Sequence, residues 1–451
     1  MLTINKMILI FCAIGLIPIS SLFNPVRAEE VQGEILSLEE AINEAILRSP
    51  LIKEAREKTE ASRSEYKSAR ADMWPKFSAS YSFTQLMDQP IVKMHDSELP
   101  MSGKDIYKWN VTVSQPLFTG FALSTKRRMA KLGVKIGKIE KQISVIDLVL
   151  KVKETYFGIL ITKRVYEVSQ DEVKLLEHHH TDAENFLEQG LISTNDLLKT
   201  KVALANAKLK REKALKNYRM AIEGMNFFLN RPIDGAITVK DVTEPASAKS
   251  FNQALFIKKG LNNRPEVKAL TLAVKNANNA IRLVESQYYP HLMLIGRFER
   301  EGENFPATEN EYMNDHNALI SIMAKWTFFE WGKTKNDVDR MIHTKRSLLE
   351  KLTLVKRNIA LDVKDALLDI EVSKKNIDTS REGLEQAKEN YRITDVQYKQ
   401  QMTTSTEVLD ATTFLSGAKI SYYSSLYGYR IALARLDRAI GEIGVKAINE
   451  Q

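Results

Sequence analysis

The sequence predicts an α+β membrane protein in which membrane β-strands lead into very long coiled-coil helices, the whole pattern occurring twice in tandem. Three observations predict it. The second half of the chain repeats the first at a nearly constant offset, and each half holds a proline-free, heptad-patterned stretch far longer than a globular helix. Each half also holds two alternating runs of about ten residues, with tryptophan in or beside them.

Composition bounds the problem before any element is placed. The chain has 451 residues, 44% of them hydrophobic, and 65 Lys plus Arg against 57 Asp plus Glu, which excludes disorder. A pI near 9.1 raises nucleic acid as a partner. Acids and bases interleave along the same stretches, however, as on solvated helix faces, so no nucleic-acid partner is expected.

Residues 1–28 read as a secretory signal peptide. Lys6 lies in a short basic region, an apolar run follows over 7–22, and Val26, Arg27 and Ala28 precede the acidic pair Glu29 and Glu30. Pro18 and the serines after it cut the run short of the ~20 residues of a membrane anchor. The sole cysteine, Cys12, leaves with the leader, and bulky Phe11 before it does not fit a lipoprotein site. No disulfide or thiol metal site is expected in the mature chain. No later stretch can cross a bilayer as a helix, a test that β-strands escape.

The repeat sets the organisation. Pro50 and Pro75 match Pro265 and Pro290 at an offset of 215; beyond the first strands the offset becomes 211 and holds, as in Val152-Lys153-Glu154 against Val363-Lys364-Asp365. The first repeat is placed at 29–229, a linker at 230–263, the second repeat at 264–441 and a tail at 442–451. The linker holds Pro232, Gly235, Pro245 and a short helix like that at 37–47, and is expected to pack as a belt beside the helices.

Within each repeat the strands come first, expected at about 76–86, 109–118, 291–300 and 318–328, each about the length of a tilted transmembrane strand. Phe77, Ala79, Tyr81 and Phe83 interleave with Ser78, Ser80, Ser82 and Thr84, a pattern with one apolar and one polar face. Trp74, Trp109, Trp326 and Trp331 suit aromatic girdles at the membrane interfaces. Wet loops are expected at 87–108 and 301–317. Four strands cannot close a spanning barrel, which needs at least about eight, so several copies of the chain must share one barrel in the bilayer.

The long helices follow. Leu132, Ile136, Ile139, Ile143, Ile146 and Leu150 recur at coiled-coil spacing, and Leu348, Leu352, Val355, Ile359 and Val363 do so in the second half. Each long helix stops at a polar tip, and return helices are expected at 194–229 and 405–440. Ser193 with Asp196, and Thr404 with Glu407, read as capping boxes. Gly190 suits a left-handed helix end, where the second half has Gln401.

Together these features resemble the TolC family of outer-membrane efflux proteins. The carriers are Pro116, Leu117, Phe118 and Gly120 at the turn into the helix, Gly190, Leu191, Ile192, Ser193, Asp196, Leu197 and Leu198 at the tip, and the run Glu407-Val408-Leu409-Asp410-Ala411-Thr412-Thr413 followed by Ala418-Lys419. The resemblance implies a homotrimer with a twelve-stranded β-barrel, four strands per chain, continuous with a periplasmic helical barrel. It implies a passive exit duct in the outer membrane of a Gram-negative bacterium, in contact with outer-membrane lipid and serving a tripartite efflux or type I secretion system. It further implies tips that dock on a periplasmic adaptor, itself linked to an inner-membrane transporter of RND, ABC or MFS type. By matching positions the docking residues are Gly190, Leu191, Ile192 and Ser193, with Gln401, Met402, Thr403 and Thr404; the periplasmic gate is Tyr398, Glu407 and Asp410. Thr403 stands where some relatives carry a gating arginine.

Plainer readings compete at several positions. Capping alone explains Glu407, and helix termination explains Gly190. His178, His179 and His180 point ~100° apart on a helix and cannot converge on a metal; a solvated face near the tip is expected instead. No phosphate loop, nucleotide fingerprint or nucleophile elbow occurs, so neither catalysis nor a cofactor is expected. The rival architecture is a secreted, elongated coiled-coil adhesin or scaffold, which would not need aromatic-flanked strands. The sequence does not select the cargo.

Overall fold

The computed structural model describes residues 34–94, 97–242 and 252–442; the leader and its cleavage site, and the tail beyond 442, lie outside them. In chain order the elements are β1 (Glu34–Leu36), α1 (Leu38–Arg48), α2 (Pro50–Ala71), β2 (Lys76–Gln85), β3 (Ile91–Met94), β4 (Ser97–Pro100), β5 (Asp105–Thr119), α3 (Ala122–Glu188) and α4 (Thr194–Leu229). Then come β6 (Ile237–Val239), α5 (Gln253–Asn263), α6 (Pro265–Glu285), β7 (His291–Gly302), β8 (His316–Lys325), α7 (Lys333–Lys399) and α8 (Ser405–Ala439).

Two helices dominate. α3 and α7 are each 67 residues long, on the order of 100 Å at 1.5 Å per residue. Shorter helices are laid beside them. α3 packs against α2 and α6 toward the strands and against α4 and α8 toward the tips, while α7 packs against α6 and α8. The result is a row of four helices at any height, α2 or α4, then α3, then α6 or α8, then α7. Pro50 and Pro265 open α2 and α6, where a missing N–H costs nothing and φ is already helical.

The four long strands form one antiparallel sheet in the order β2-β5-β7-β8. The register sets Ala79 beside Val111, Val111 beside Phe298, and Phe298 beside Ala318. One face therefore carries Phe77, Phe83, Val113, Leu294, Ile320 and Ile322, the other Ser80, Asn110, Glu299, Arg297 and Ser321. Phe77 and Ile320 are 75% and 83% exposed, so the apolar face has no core of its own to cover. Among the described residues the outer edges of β2 and β8 pair with no strand.

The strands differ from expectation at their ends. β8 begins at His316 and stops at Lys325, three residues before the expected end. Lys325 pairs with His291, and the next partner would be Pro290, which has no N–H to give a ladder. Trp326 turns away, its indole N–H donating to the Tyr288 carbonyl at 3.1 Å. The loop expected at 87–108 contains the β3–β4 hairpin and the first residues of β5.

The belt forms where the chain's start meets the linker. β1 pairs in parallel with β6, and α1 lies against α3, with Ile42, Val152, Tyr156, Leu229 and Val239 in one buried cluster. Fully buried side chains such as Val152 and Leu229 each contribute about 1.5–3 kcal/mol. The Tyr156 hydroxyl reaches the carbonyls of Leu36 and Lys240, at 3.1 and 2.7 Å, clamping both strands. Arg231 donates to both Glu44 oxygens and ties the linker to α1.

Candidate functional site

The tips are built by local rules. At the end of α3, Gly190 adopts φ +74°, its N–H donates to Leu187 at 2.9 Å, and the N–H of Leu191 donates to Phe186 at 2.8 Å. These are the two bonds of a Schellman helix end. At the end of α7, Gln401 takes φ +60°, its N–H donates to Tyr398 at 2.9 Å, and the N–H of Met402 donates to Gln397 at 2.8 Å. The two turns have one geometry despite the different residue. Leu191 and Met402 project, 52% and 71% exposed, while Ile192 and Thr403 are half-buried beside them.

The return helices are capped by half of the expected boxes. The Ser193 hydroxyl accepts from the Asp196 amide at 3.2 Å and the Thr404 hydroxyl from the Glu407 amide at 3.4 Å. Asp196 accepts chiefly from the Ser193 hydroxyl, at 2.8 Å, and from Lys199, at 3.3 Å, rather than from the Ser193 amide. Its side chain is one methylene shorter than the glutamate a box uses. Those bonds, the serine's first, hold the Asp196 carboxyl below its ordinary pKa. A complete box sits instead at Ser37 and Glu40, at the start of α1; its Ser-x-x-Glu spacing was readable in the sequence.

The expected gate residues separate. Glu407 and Asp410 are both exposed on α8. Tyr398 is 1% exposed, its ring 4.7 Å from His179 and 5.4 Å from Phe186. It lies inside the protomer, between hairpins, rather than on the exposed face that carries Glu407 and Asp410; helical spacing alone does not reveal which face of α7 meets α3. The histidine run is likewise split. Three successive helical residues cannot all face water on a packed helix, and the middle one, His179, is buried. Its Nε2 lies 2.8 Å from the Ser405 hydroxyl, which is 3.1 Å from the Thr200 hydroxyl. One polar node thus touches α3, α4, α7 and α8, and the sequence reading missed it. Among the described residues no cluster of acids, histidines or cysteines is arranged to hold a metal.

The other end of the molecule carries the aromatics. Trp74, Trp326 and Trp331 flank the helix-side end of the sheet, beside Tyr289, Phe118 and Phe121, which meet edge to face. Trp109 sits toward the loop end, 5.6 Å from Phe298, in a band with Tyr81, Tyr107 and Phe305. On the polar face between the bands, Lys108 bonds Glu301 at 2.9 Å and Asn110 donates to Ser80 at 2.7 Å.

With this geometry in place, comparison with known proteins is decisive. The family model for outer membrane efflux proteins matches residues 41–230 and 256–442. The chain belongs to that family. Its fold is similar to that of CusC, described as forming a transmembrane channel, at 15% identity over 90% of this chain and 92% of that one, TM-score 0.75. The Campylobacter jejuni CmeC outer membrane channel matches at 14% identity, 90% and 85% coverage and TM-score 0.75. The Vibrio cholerae outer membrane protein VceC matches at 13% identity, 90% and 96% coverage and TM-score 0.73. No curated protein sequence matches the chain.

As an outer membrane efflux protein, the chain is a transport protein of the Gram-negative outer membrane with long periplasmic helices. The family supports the role of an efflux exit duct and is not one of enzymes. None of the described helices is long and apolar enough to cross a membrane.

Proposed function

We propose that three copies of the chain close a twelve-stranded barrel and a continuous helical tube, forming the passive outer-membrane duct of a tripartite efflux or secretion system. The observation that carries this reading is the sheet: four antiparallel strands with two open edges and a bare apolar face, hung on helices of about 100 Å. In hydrocarbon, open edges are untenable, and joining β2 of one copy to β8 of the next satisfies them all. The helix row has matching free ends. α4 exposes Leu198, Val202, Leu209 and Met220, and α7 exposes Leu354, Leu361 and Leu368, seams that fit a neighbouring copy.

In that assembly the two aromatic bands lie at the membrane interfaces and Glu407 and Asp410 form rings of negative charge at the narrow end, favouring cations there. Gly190, Leu191, Ile192 and Ser193, with Gln401, Met402, Thr403 and Thr404, meet a periplasmic adaptor that delivers cargo from an inner-membrane transporter. The duct does no chemistry; its energy comes from the partner. The purified protein should migrate as a heat-resistant trimer from outer-membrane fractions and add conductance to planar bilayers. A monomer without conductance overturns the duct. Cysteine cross-linking from Leu191 and Met402 should capture one adaptor in cells, and failure to do so overturns the docking assignment.

A further inference from the structure

The belt packs on one face of α3, and that face changes character above it. Val145, Val152 and Ile159 form one heptad row and Val149 and Tyr156 another, all buried, most of them against α1, β1 and β6. Traced toward the membrane, the first row becomes Lys138 and Lys131 and the second becomes Gln142, Lys135 and Arg128, with Arg127 alongside. All five cations are exposed. Among the described residues Arg128 reaches only the Thr125 hydroxyl and Arg127 only the Met73 sulfur. Among the described residues, no carboxylate pairs with any of the five, although ion pairs are frequent elsewhere on the helices.

The stripe faces outward. Three copies of the belt would fill a bore, so the face they cover is the tube's exterior, a step that rests on the trimeric reading above. α3 is flanked by α2 and α6 within its own protomer, so a neighbour joining at the row's ends leaves the stripe open. It belongs to one repeat only. The equivalent positions in α7 are Val338, Asp339, Ile342, Arg346 and Leu349, so the tube carries three such stripes.

We infer that this stripe, Arg127, Arg128, Lys131, Lys135 and Lys138, binds the peptidoglycan layer through the free carboxylates of its peptide stems. Its length favours an extended polyanion over the headgroups of the membrane above. The five residues span about 16 Å along the helix, and Lys138 lies about 28 Å of helix from the end of β5. The polar layer of a bilayer leaflet is only about 5–8 Å deep, and charge is screened within about 10 Å. A cross-linked wall beside the duct offers many carboxylates to three parallel stripes, which makes weak single contacts additive.

The test is co-sedimentation of the detergent-purified full chain with isolated peptidoglycan sacculi. The natural protein should pellet at low salt and be released at about 0.5 M salt. Changing all five residues to Gln should reduce pelleting at least about tenfold while heat-resistant trimer and conductance persist, which separates this inference from the duct itself. A control with Lys335, Arg346, Lys351, Lys356 and Arg357 changed to Gln, cations spread around α7, should pellet like the natural protein. Equal pelleting of the stripe variant, equal loss in the control, no binding to sacculi, or binding only to phosphatidylglycerol vesicles would each overturn the proposal.

Discussion

The two tips are the same turn made from different residues, and the difference separates what the fold imposes from what the sequence supplies. Gly190 enters the left-handed region freely, whereas Gln401 does so against a cost of about 1–2 kcal/mol. Both still make the same pair of backbone bonds. The turn is therefore set by the need to bring an antiparallel helix back onto the one before it, and glycine makes that turn cheaper without causing it. Behind both tips lies the node of His179, Thr200, Tyr398 and Ser405, which holds the two hairpins at a common height.

The comparison can be broken first at that node. Tyr398→Ala leaves a cavity between hairpins and should cost about 3–5 kcal/mol locally; amide exchange should accelerate at both tips, and acceleration at the second alone would mean that the tips are independent. Acid is the next lever. Burial is the main reason that the His179 imidazole is pushed down to about 4 from 6.5, with Asp182 and Asp395 pulling it up and His180 pushing it further down. The unfolded chain takes up this proton at the higher value and the folded node only at the lower. Stability is thus complete above the ordinary histidine pKa and lost progressively below it, by about 2 kcal/mol near pH 5. Protease cleavage of the tips should rise over that window, and His179→Gln should flatten the dependence.

Exchanging the turn residues probes the comparison directly. Gly190→Ala should destabilise the first tip by about 1 kcal/mol and Gln401→Gly should stabilise the second by a similar amount, both read as changes in local exchange. Equal and negligible effects would mean that neither turn limits its tip. The smallest difference is expected at the caps. Ser193→Ala removes the 3.2 Å bond and the hydroxyl that serves Asp196, costing about 1 kcal/mol, and Thr404→Ala removes a 3.4 Å bond at the low end of the capping range, about 0.5 kcal/mol.

Much of this was legible in the sequence because it is local. The return helices start at Thr194 and Ser405 where the polar caps stand, and the first stops at Leu229 before a left-handed Asn230. Alternation located all four long strands, since a strand with one apolar and one polar face has no freedom in its pattern. What was not legible is nonlocal or short. The neighbouring of β5 and β7, which stitches the repeats together, is a choice of partner that no single strand encodes. The β3–β4 hairpin has four-residue strands, too short for alternation to register. The burial of Tyr398 and His179 was not legible because a helix packed on several others has several buried faces, and periodicity does not say which neighbour each one meets.

The three-residue pairing of β1 with β6 also bears on how the protein is made. Glu34–Leu36 emerges early in synthesis, yet its partner Ile237–Val239 and the far end of the Tyr156 clamp at Lys240 are translated some two hundred residues later. Closing so long a loop is slow, because its entropy is lost before the contacts repay it. The belt can therefore lock only after the whole first hairpin exists, and it acts as a checkpoint in folding order: a chain truncated before the linker retains the sequence of α3 and α4 but has nothing to fasten its own beginning.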